Sequence, residues 1–204
     1  LVNAGPLGVD ILAHSDDAAR VTAFGNGVLL SRIPLFLFQA VQAALLPRLA
    51  RLAAKGDLAE FKQGLSLLLK IVLAVAVLGT VGSFVLGPPV LDIMYEGGLD
   101  RRTLTLLALA SGLYMLALAI AQAVIALQGH KYVAIGWLSA MVSFLVVTAF
   151  SSNDLFLRVE LGLVAGSTAA LIVFSYALRA RMQAGAIPDA ESMIDGILDN
   201  PLES

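Results

Sequence analysis

Cysteine is absent from the 204 residues, histidine occurs twice, and only 14% of the side chains are charged. Without cysteine the chain forms neither disulfides nor thiolate metal sites, and His14 and His130 lie too far apart in sequence to suggest a metal-ligand pair. The formal net charge of −2 leaves no basic excess to neutralise nucleic-acid phosphates. We therefore expect no metal, no other cofactor and no nucleic-acid partner. Because no nucleophile–base pair is visible, we also expect that the chain is not an enzyme.

Apolar side chains are abundant instead. Hydrophobic residues make up 59% of the chain and the mean hydropathy is +0.89, whereas soluble domains are about 45–50% apolar. A soluble domain of this size has too little interior to bury that much apolar surface. The composition therefore predicts an integral membrane protein whose surroundings are the lipid bilayer.

Five long apolar runs carry most of this hydrophobicity. A helix needs about 20 apolar residues to cross a hydrocarbon core about 30 Å thick, and these runs are apolar on all sides rather than alternating with period two. The predicted fold class is all-α, a polytopic transmembrane helix bundle with five full spans plus the end of a sixth within residues 1–20. The predicted spans cover about 21–47, 65–86, 103–128, 132–150 and 161–178.

Residues 1–182 are thus predicted to form the transmembrane bundle, and residues 183–204 an acidic tail. Lys and Arg concentrate in loops on the cytoplasmic side of membranes. Seven of these residues share one side of the predicted bundle, at Arg48, Arg51, Lys55, Lys62, Lys131, Arg179 and Arg181. Four lie on the other side, at Arg20, Arg101, Arg102 and Arg158. This bias predicts a multi-pass protein with a cytoplasmic C-terminus.

Arg32 is the one charged residue inside the first predicted span. It lies 11 positions after Val21, which places it roughly 16 Å into the span at 1.5 Å per residue. An arginine at that depth costs at least about 2.5–3.5 kcal/mol on insertion scales. It is therefore expected to face a partner or a water-filled cavity, and an anionic ligand is one such partner. The alternative is that Arg32 only pairs with backbone carbonyls or extends outward.

Two glutamines and a proline accompany Arg32 on the same predicted span. Gln39 follows Arg32 by seven residues and so lies on nearly the same helix face, with Gln42 at the edge of that face. This pattern predicts a polar cavity wall made by Arg32, Gln39 and Gln42. Pro34 lacks a backbone N–H and is expected to kink the helix, which makes it a candidate hinge. Pro47 is expected to end the span.

Small residues in other spans indicate helix packing rather than chemistry. Gly162 and Gly166 form a small-xxx-small pair, and Gly79 and Gly82 are expected to permit close approach of backbones. Tyr114 is interpreted as a packing or interface residue.

The segment from Ser31 to Pro47, Ser-Arg-Ile-Pro-Leu-Phe-Leu-Phe-Gln-Ala-Val-Gln-Ala-Ala-Leu-Leu-Pro, resembles the eighth transmembrane helix of polysaccharide-biosynthesis flippases of the MOP superfamily, which includes the lipid II flippases. In these proteins a basic connector follows that helix, as residues 48–62 do here. The segments Leu86–Leu91 and Ala126–Lys131 also resemble the family. The resemblance spans roughly residues 1–182.

This resemblance implies the C-terminal half of a MOP-type transporter fold in the bacterial inner membrane. The implied function is flipping or export of lipid-linked polysaccharide precursors through a cationic central cavity, in which Arg32 attracts an anionic lipid pyrophosphate. Because the family uses two six-helix bundles around one cavity, we expect the chain to act together with an N-terminal half of the same transporter.

Two other functions are compatible with the residues. A multidrug or cation-coupled exporter of the same superfamily usually needs a membrane-embedded carboxylate, which the predicted spans lack. A non-transporting membrane scaffold could recruit partners through its acidic tail.

Overall fold

Seven helices account for nearly all of the described chain. The computed structural model describes residues 3–13, 18–95 and 100–184. The helices are α1 (Ala4–Leu12), α2 (Ala18–Ser31), α3 (Ile33–Ala54), α4 (Leu58–Tyr95), α5 (Arg101–Ala126), α6 (His130–Phe150) and α7 (Leu155–Ala184). No strand occurs in these three ranges, which confirms the all-α prediction.

The turns between helices follow from local side-chain chemistry. Asp57, Asp100 and Asp154 precede α4, α5 and α7, and each carboxylate accepts a hydrogen bond from the backbone N–H three residues later, at 2.8–3.2 Å. This contact satisfies a backbone donor that a helix start leaves without a partner. Gly56 (φ 71°) and Gln128 (φ 60°) adopt left-handed conformations after α3 and α5, where such residues commonly end helices.

Four helices are long and apolar enough to cross a membrane, by length and composition, within the described ranges. They cover Leu58–Gly87 of α4, then α5, α6 and α7 in full. The last four predicted spans therefore correspond to α4–α7. The predicted span 103–128 extends two residues beyond its helix, because α5 ends at Ala126 and Gln128 lies in the following turn.

The first predicted span is not one continuous helix. Residues 21–47 are divided between α2 and α3 by an interruption at Arg32, and the apolar piece Val21–Phe36 is shorter than a membrane crossing. Pro47, which was predicted to end the span, lies inside α3, and this helix continues to Ala54. At the other end of the chain, α7 continues to Ala184, and residues 185–204 of the predicted tail lie outside the described residues.

Helix α5 is the centre of the bundle. It contacts α2, α3, α4, α6 and α7. In its most apolar 18-residue stretch 56% of the residues are buried, against 22% in the corresponding stretches of α4 and α6. The single tryptophan, Trp137 of α6, packs between Tyr114 of α5 and Phe174 of α7, with ring centroids 5.6 Å and 5.2 Å apart. The packing role expected for Tyr114 is thus observed, and it joins three helices.

The outer faces of α4 and α6 are apolar and exposed. A series of large side chains points away from the bundle, at Leu73, Val77, Leu78, Val81, Phe84 and Val85 of α4 and at Ile135, Leu138, Val142, Leu145 and Val146 of α6. Such continuous apolar faces are typical of helices that face lipid rather than water.

Candidate functional site

The interruption at Arg32 has a local cause in Pro34. Proline has no N–H to donate to the carbonyl four residues earlier, so the helical hydrogen-bond ladder fails just before it. Here the backbone N–H of Arg32 bonds Leu29 O at 3.1 Å, a shorter-range turn, and α3 restarts at Ile33 with Pro34 in its first turn. A Cβ on Gly79 of α4 would lie 3.2 Å from Pro34 Cγ, so the glycine leaves room for the proline ring.

The Arg32 side chain is half-buried and reaches the start of α1. Its Nη1 and Nη2 atoms each lie 3.5 Å from Asn3 Oδ1, so that both donors of the guanidinium edge face one amide oxygen. This contact links α1 to the junction of α2 and α3. Asn3 is one functional candidate that the sequence reasoning missed, because a contact across 29 positions leaves no periodic signal.

A small cavity of about 40 Å³ lies beside Arg32. At roughly 10–15 Å³ for each water, it has room for about three water molecules and not for a saccharide. Its lining comprises Pro6, Val28, Ser31, Arg32, Leu35, Leu107, Ala110, Ser111, Tyr114, Leu163 and Ser167. One guanidinium and four hydroxyls therefore line an otherwise apolar space between α1, α2, α3, α5 and α7.

The hydroxyls are held in place by the helices that carry them. Ser31 Oγ donates to Val28 O at 2.9 Å and lies 3.4 Å from Ser111 Oγ of α5. Ser111 and Tyr114 are three residues apart on α5, so they share one helix face. Because guanidinium and hydroxyl groups all donate hydrogen bonds, this arrangement can bind water or the oxygens of an anion.

The predicted cavity wall of Arg32, Gln39 and Gln42 is only partly represented in the lining of this cavity. Of its three residues, only Arg32 lines the cavity. Gln39 is exposed on α3, and Gln42 is half-buried. The interruption at Arg32 breaks the continuous helix from which the common face was inferred. The role of Gln39 and Gln42 in substrate binding and that of Pro34 as a hinge stay predictions.

A second polar cluster lies at the ends of α5 and α7. Arg102 Nε lies 3.7 Å from Asp100 Oδ2 and 4.0 Å from Glu160 Oε2, and Arg102 Nη2 lies 3.7 Å from Asp154 Oδ1. Glu160 is 0% exposed, and neither of its carboxylate oxygens has a hydrogen-bond partner among the described residues. The sequence placed Glu160 at the end of a span and gave no sign of this burial.

Asp100, whose side chain is exposed, has a different environment from Glu160. Burial disfavours ionisation of Asp100, but hydrogen bonds from Thr103 and the charge of Arg102 outweigh it, so its pKa lies below the ordinary value.

Within the described ranges, no three His, Asp or Glu side chains are grouped closely enough to hold a metal ion.

Comparison with known protein families gives a match over most of the chain. A family model described as lipid II flippase MurJ matches residues 9–178. No curated protein and no solved structure matches the chain. The matched range includes Arg32, the interruption beside it and helices α2–α6 in full.

Proposed function

Because the chain belongs to the family of the lipid II flippase MurJ, we propose that it forms part of a transporter that binds the pyrophosphate of a lipid-linked saccharide at Arg32. The family is one of multi-pass inner-membrane transporters and not of enzymes, so the chain is a membrane transport protein of the cell envelope. The substrate and the cationic cavity are the parts that we propose.

The position of Arg32 is the observation that carries this proposal. A guanidinium in an apolar helix needs a partner that offsets the loss of water. Arg32 is placed at a helix interruption, half-buried, and beside a cavity into which Ser31, Ser111 and Tyr114 also project. A phosphate group accepts hydrogen bonds from Arg32, Ser111 and Tyr114 and carries the opposite charge to Arg32, whereas the Ser31 hydroxyl donates to Val28 O.

The cavity in this chain is too small for the proposed substrate. We infer that the binding site is completed by an N-terminal half of the transporter, facing the surface on which Arg32 lies. Gln39 is exposed on α3, and an amide side chain on a helix otherwise rich in leucine and alanine is suited to hydrogen-bond a saccharide hydroxyl. Pro34 is proposed to let α2 and α3 change angle as the cavity opens to either side.

Complementation tests the role of Arg32. In bacteria depleted of their own lipid II flippase, a transporter containing this chain should restore growth. Arg32→Ala should abolish this rescue at unchanged membrane expression, because the anion-binding donor is lost. Arg32→Lys should rescue partly, since the charge remains while the planar pair of donors is lost.

Arg51→Ala is the matched control. Arg51 lies on α3, the helix that Arg32 precedes. Its side chain is exposed, and its Nε bonds only the nearby Pro47 O at 3.3 Å among the contacts described. This variant should rescue growth like the unmodified protein. Full rescue by Arg32→Ala would contradict the proposal.

A further inference from the structure

A large groove lies on the α3–α4 face, apart from the Arg32 cavity. Its volume is about 830 Å³, within the range typical of small-molecule sites. The residues that line it are Arg48, Leu49, Ala59, Glu60, Lys62, Gln63, Gly64, Ser66, Leu67 and Lys70. None of them lines the Arg32 cavity, so the two spaces are distinct.

The charge of this groove is unbalanced. It contains three cationic side chains, Arg48, Lys62 and Lys70, and one carboxylate, that of Glu60. Across the described ranges, none of the three cations has a hydrogen bond or an ion pair within 4 Å. The groove therefore offers three cationic donors to an anion.

Two of the cations, Lys62 and Lys70, lie on one face of α4 and extend into the membrane-facing part of the helix, whereas Arg48 lies on α3. Lys62, Ser66 and Lys70 recur every four residues, so they share a helix face. Lys70 lies about 12 Å farther along the axis than Lys62, at 1.5 Å per residue. Its neighbours Leu67 and Ile71 are exposed and apolar, with Leu67 57% exposed and itself part of the groove wall.

This gradient from charged to apolar matches a phospholipid and not a soluble anion. A phosphate in water could reach Lys62, but it would gain nothing from the exposed wall at Leu67. A lysine among lipid-facing side chains extends its ammonium group towards the headgroup level, where lipid phosphates lie. Basic pockets between helices on the cytoplasmic side of membranes bind anionic headgroups, and the charge bias of the chain predicts that this end is cytoplasmic.

We propose that the groove between α3 and α4 binds an anionic glycerophospholipid, with its phosphate at Arg48, Lys62 and Lys70 and an acyl chain against Leu67. This site is separate from the proposed substrate site and does not depend on it.

Native mass spectrometry of the purified protein in a neutral detergent tests the site. The probes are dioctanoyl-phosphatidylglycerol, dioctanoyl-phosphatidylcholine and inorganic phosphate. The unmodified protein should bind phosphatidylglycerol saturably and phosphatidylcholine at least tenfold more weakly. The variant R48Q/K62Q/K70Q should raise the Kd for phosphatidylglycerol at least tenfold.

Two variants with matched charge changes control this experiment. R51Q/K55Q/K131Q removes one arginine and two lysines from the same predicted side of the membrane but outside the groove, and its Kd should change less than threefold. R48K/K62R/K70R keeps the charges and should bind like the unmodified protein, while Trp137 fluorescence reports whether each variant is folded.

Several results would overturn the proposal. If R48Q/K62Q/K70Q and R51Q/K55Q/K131Q weaken phosphatidylglycerol binding equally, the effect is one of overall charge. If phosphatidylcholine binds as tightly as phosphatidylglycerol, the groove does not select anions. Displacement of phosphatidylglycerol by equimolar inorganic phosphate would identify a free phosphate site instead. Equal weakening by Arg32→Ala would place the lipid in the Arg32 cavity, whereas the groove proposal expects no change in that variant.

Discussion

Arg32 and Pro34 lie two residues apart, and together they explain both the interruption of the helix and the placement of the charge. The missing N–H of Pro34 ends the hydrogen-bond ladder of α2, and Arg32 occupies the turn that results. A charged side chain at a helix interruption has more freedom to turn towards the bundle interior than one on a regular helix. Here it turns towards Asn3 and the hydroxyls of the cavity.

Glu160, unlike the half-buried Arg32, is fully buried, and neither of its carboxylate oxygens has a hydrogen-bond partner among the described residues. Its nearest cation is Arg102 at 4.0 Å, and Asp100 and Asp154 compete for the same guanidinium. Removing a charge from water costs several kcal/mol, and an ion pair of this geometry offsets only part of that cost.

We therefore expect Glu160→Gln to raise thermal stability. A gain of about 1 kcal/mol would raise the Tm by roughly 2–4 °C in a chain of this length. The Tm is measured by Trp137 fluorescence in detergent. Asp154→Asn serves as the comparison, because Asp154 is exposed and caps α7. Asp154→Asn keeps a capping oxygen and should leave the Tm near that of the unmodified protein, so a clear fall in Tm for Glu160→Gln alone would show that the buried ion pair stabilises the fold.

At the scale of the helices, close packing of α6 on α7 depends on glycine. A Cβ on Gly136 would overlap the ring of Phe174, and one on Gly162 would overlap Thr148 Oγ1. The packing role predicted for Gly162 is therefore observed. A Cβ on Gly79 would lie 3.2 Å from Pro34 Cγ. A Cβ on Gly82 would meet no other part of the described chain within 4 Å, so the expected close approach at Gly82 is not seen.

Alanine at Gly136 should destabilise the bundle. The Phe174 ring is fully buried and packs against Trp137, so it has little room to move, and overpacking of this kind costs about 1–3 kcal/mol. Thermal unfolding should show a lower Tm for Gly136→Ala. Gly82→Ala, at an open position, should leave the Tm unchanged or slightly higher. Equal Tm values for the two variants would contradict this description of the α6–α7 contact.

Asp100 stabilises the start of α5 in a pH-dependent way. It accepts a hydrogen bond from Thr103 N at 3.2 Å, and its pKa is lower in the folded protein than in the unfolded chain. A lowered pKa means that this stabilisation is present above the unfolded value of about 3.9 and is lost as the pH falls through the folded value.

Asp100→Ala should therefore lower stability by about 1 kcal/mol at pH 7, the typical effect of losing an N-cap. The difference in Tm from the unmodified protein should shrink as the pH is lowered from 6 towards 3. Asp100→Asn keeps a capping oxygen without the charge, so its Tm at pH 7 should lie near that of the unmodified protein. A difference for Asp100→Ala that is constant with pH would contradict the role of the carboxylate.

At the scale of the whole molecule, the long apolar runs were sufficient to predict α4–α7, because each run alone meets the length and hydropathy of a membrane helix. Pro34 also indicated a bend in the first predicted span. The contacts between helices were not predictable in the same way. Ser111 and Ser167 lie on different helices, and nothing in their local sequence indicates that both face Arg32.

Because contacts between helices are not visible in the local sequence, neither the division of the predicted cavity wall at Arg32 nor the burial of Glu160 was predicted. The pairing of Arg32 with Gln39 assumed one regular helix, whereas the structure divides that stretch into α2 and α3 at Arg32. The burial of Glu160 depends on how α5, α6 and α7 pack together, whereas its position in the sequence, just before an apolar run, is typical of an exposed residue. Periodicity describes one helix at a time, and a site between helices requires the packing.

The surface of the molecule is consistent with a transporter that needs a second part. The exposed apolar faces of α4 and α6 suit lipid, and the Arg32 cavity is too small for a lipid-linked saccharide. The small size of the cavity supports the proposal that an N-terminal half completes the binding site.

The most direct test of the central claim is the binding of a lipid pyrophosphate to the purified transporter with and without the Arg32 guanidinium. Undecaprenyl pyrophosphate binding is compared among the unmodified protein, Arg32→Ala and Arg51→Ala by native mass spectrometry. We predict that Arg32→Ala weakens binding at least tenfold, or ~1.4 kcal/mol, while Arg51→Ala has no effect. Unchanged affinity in Arg32→Ala would show that Arg32 does not bind the pyrophosphate.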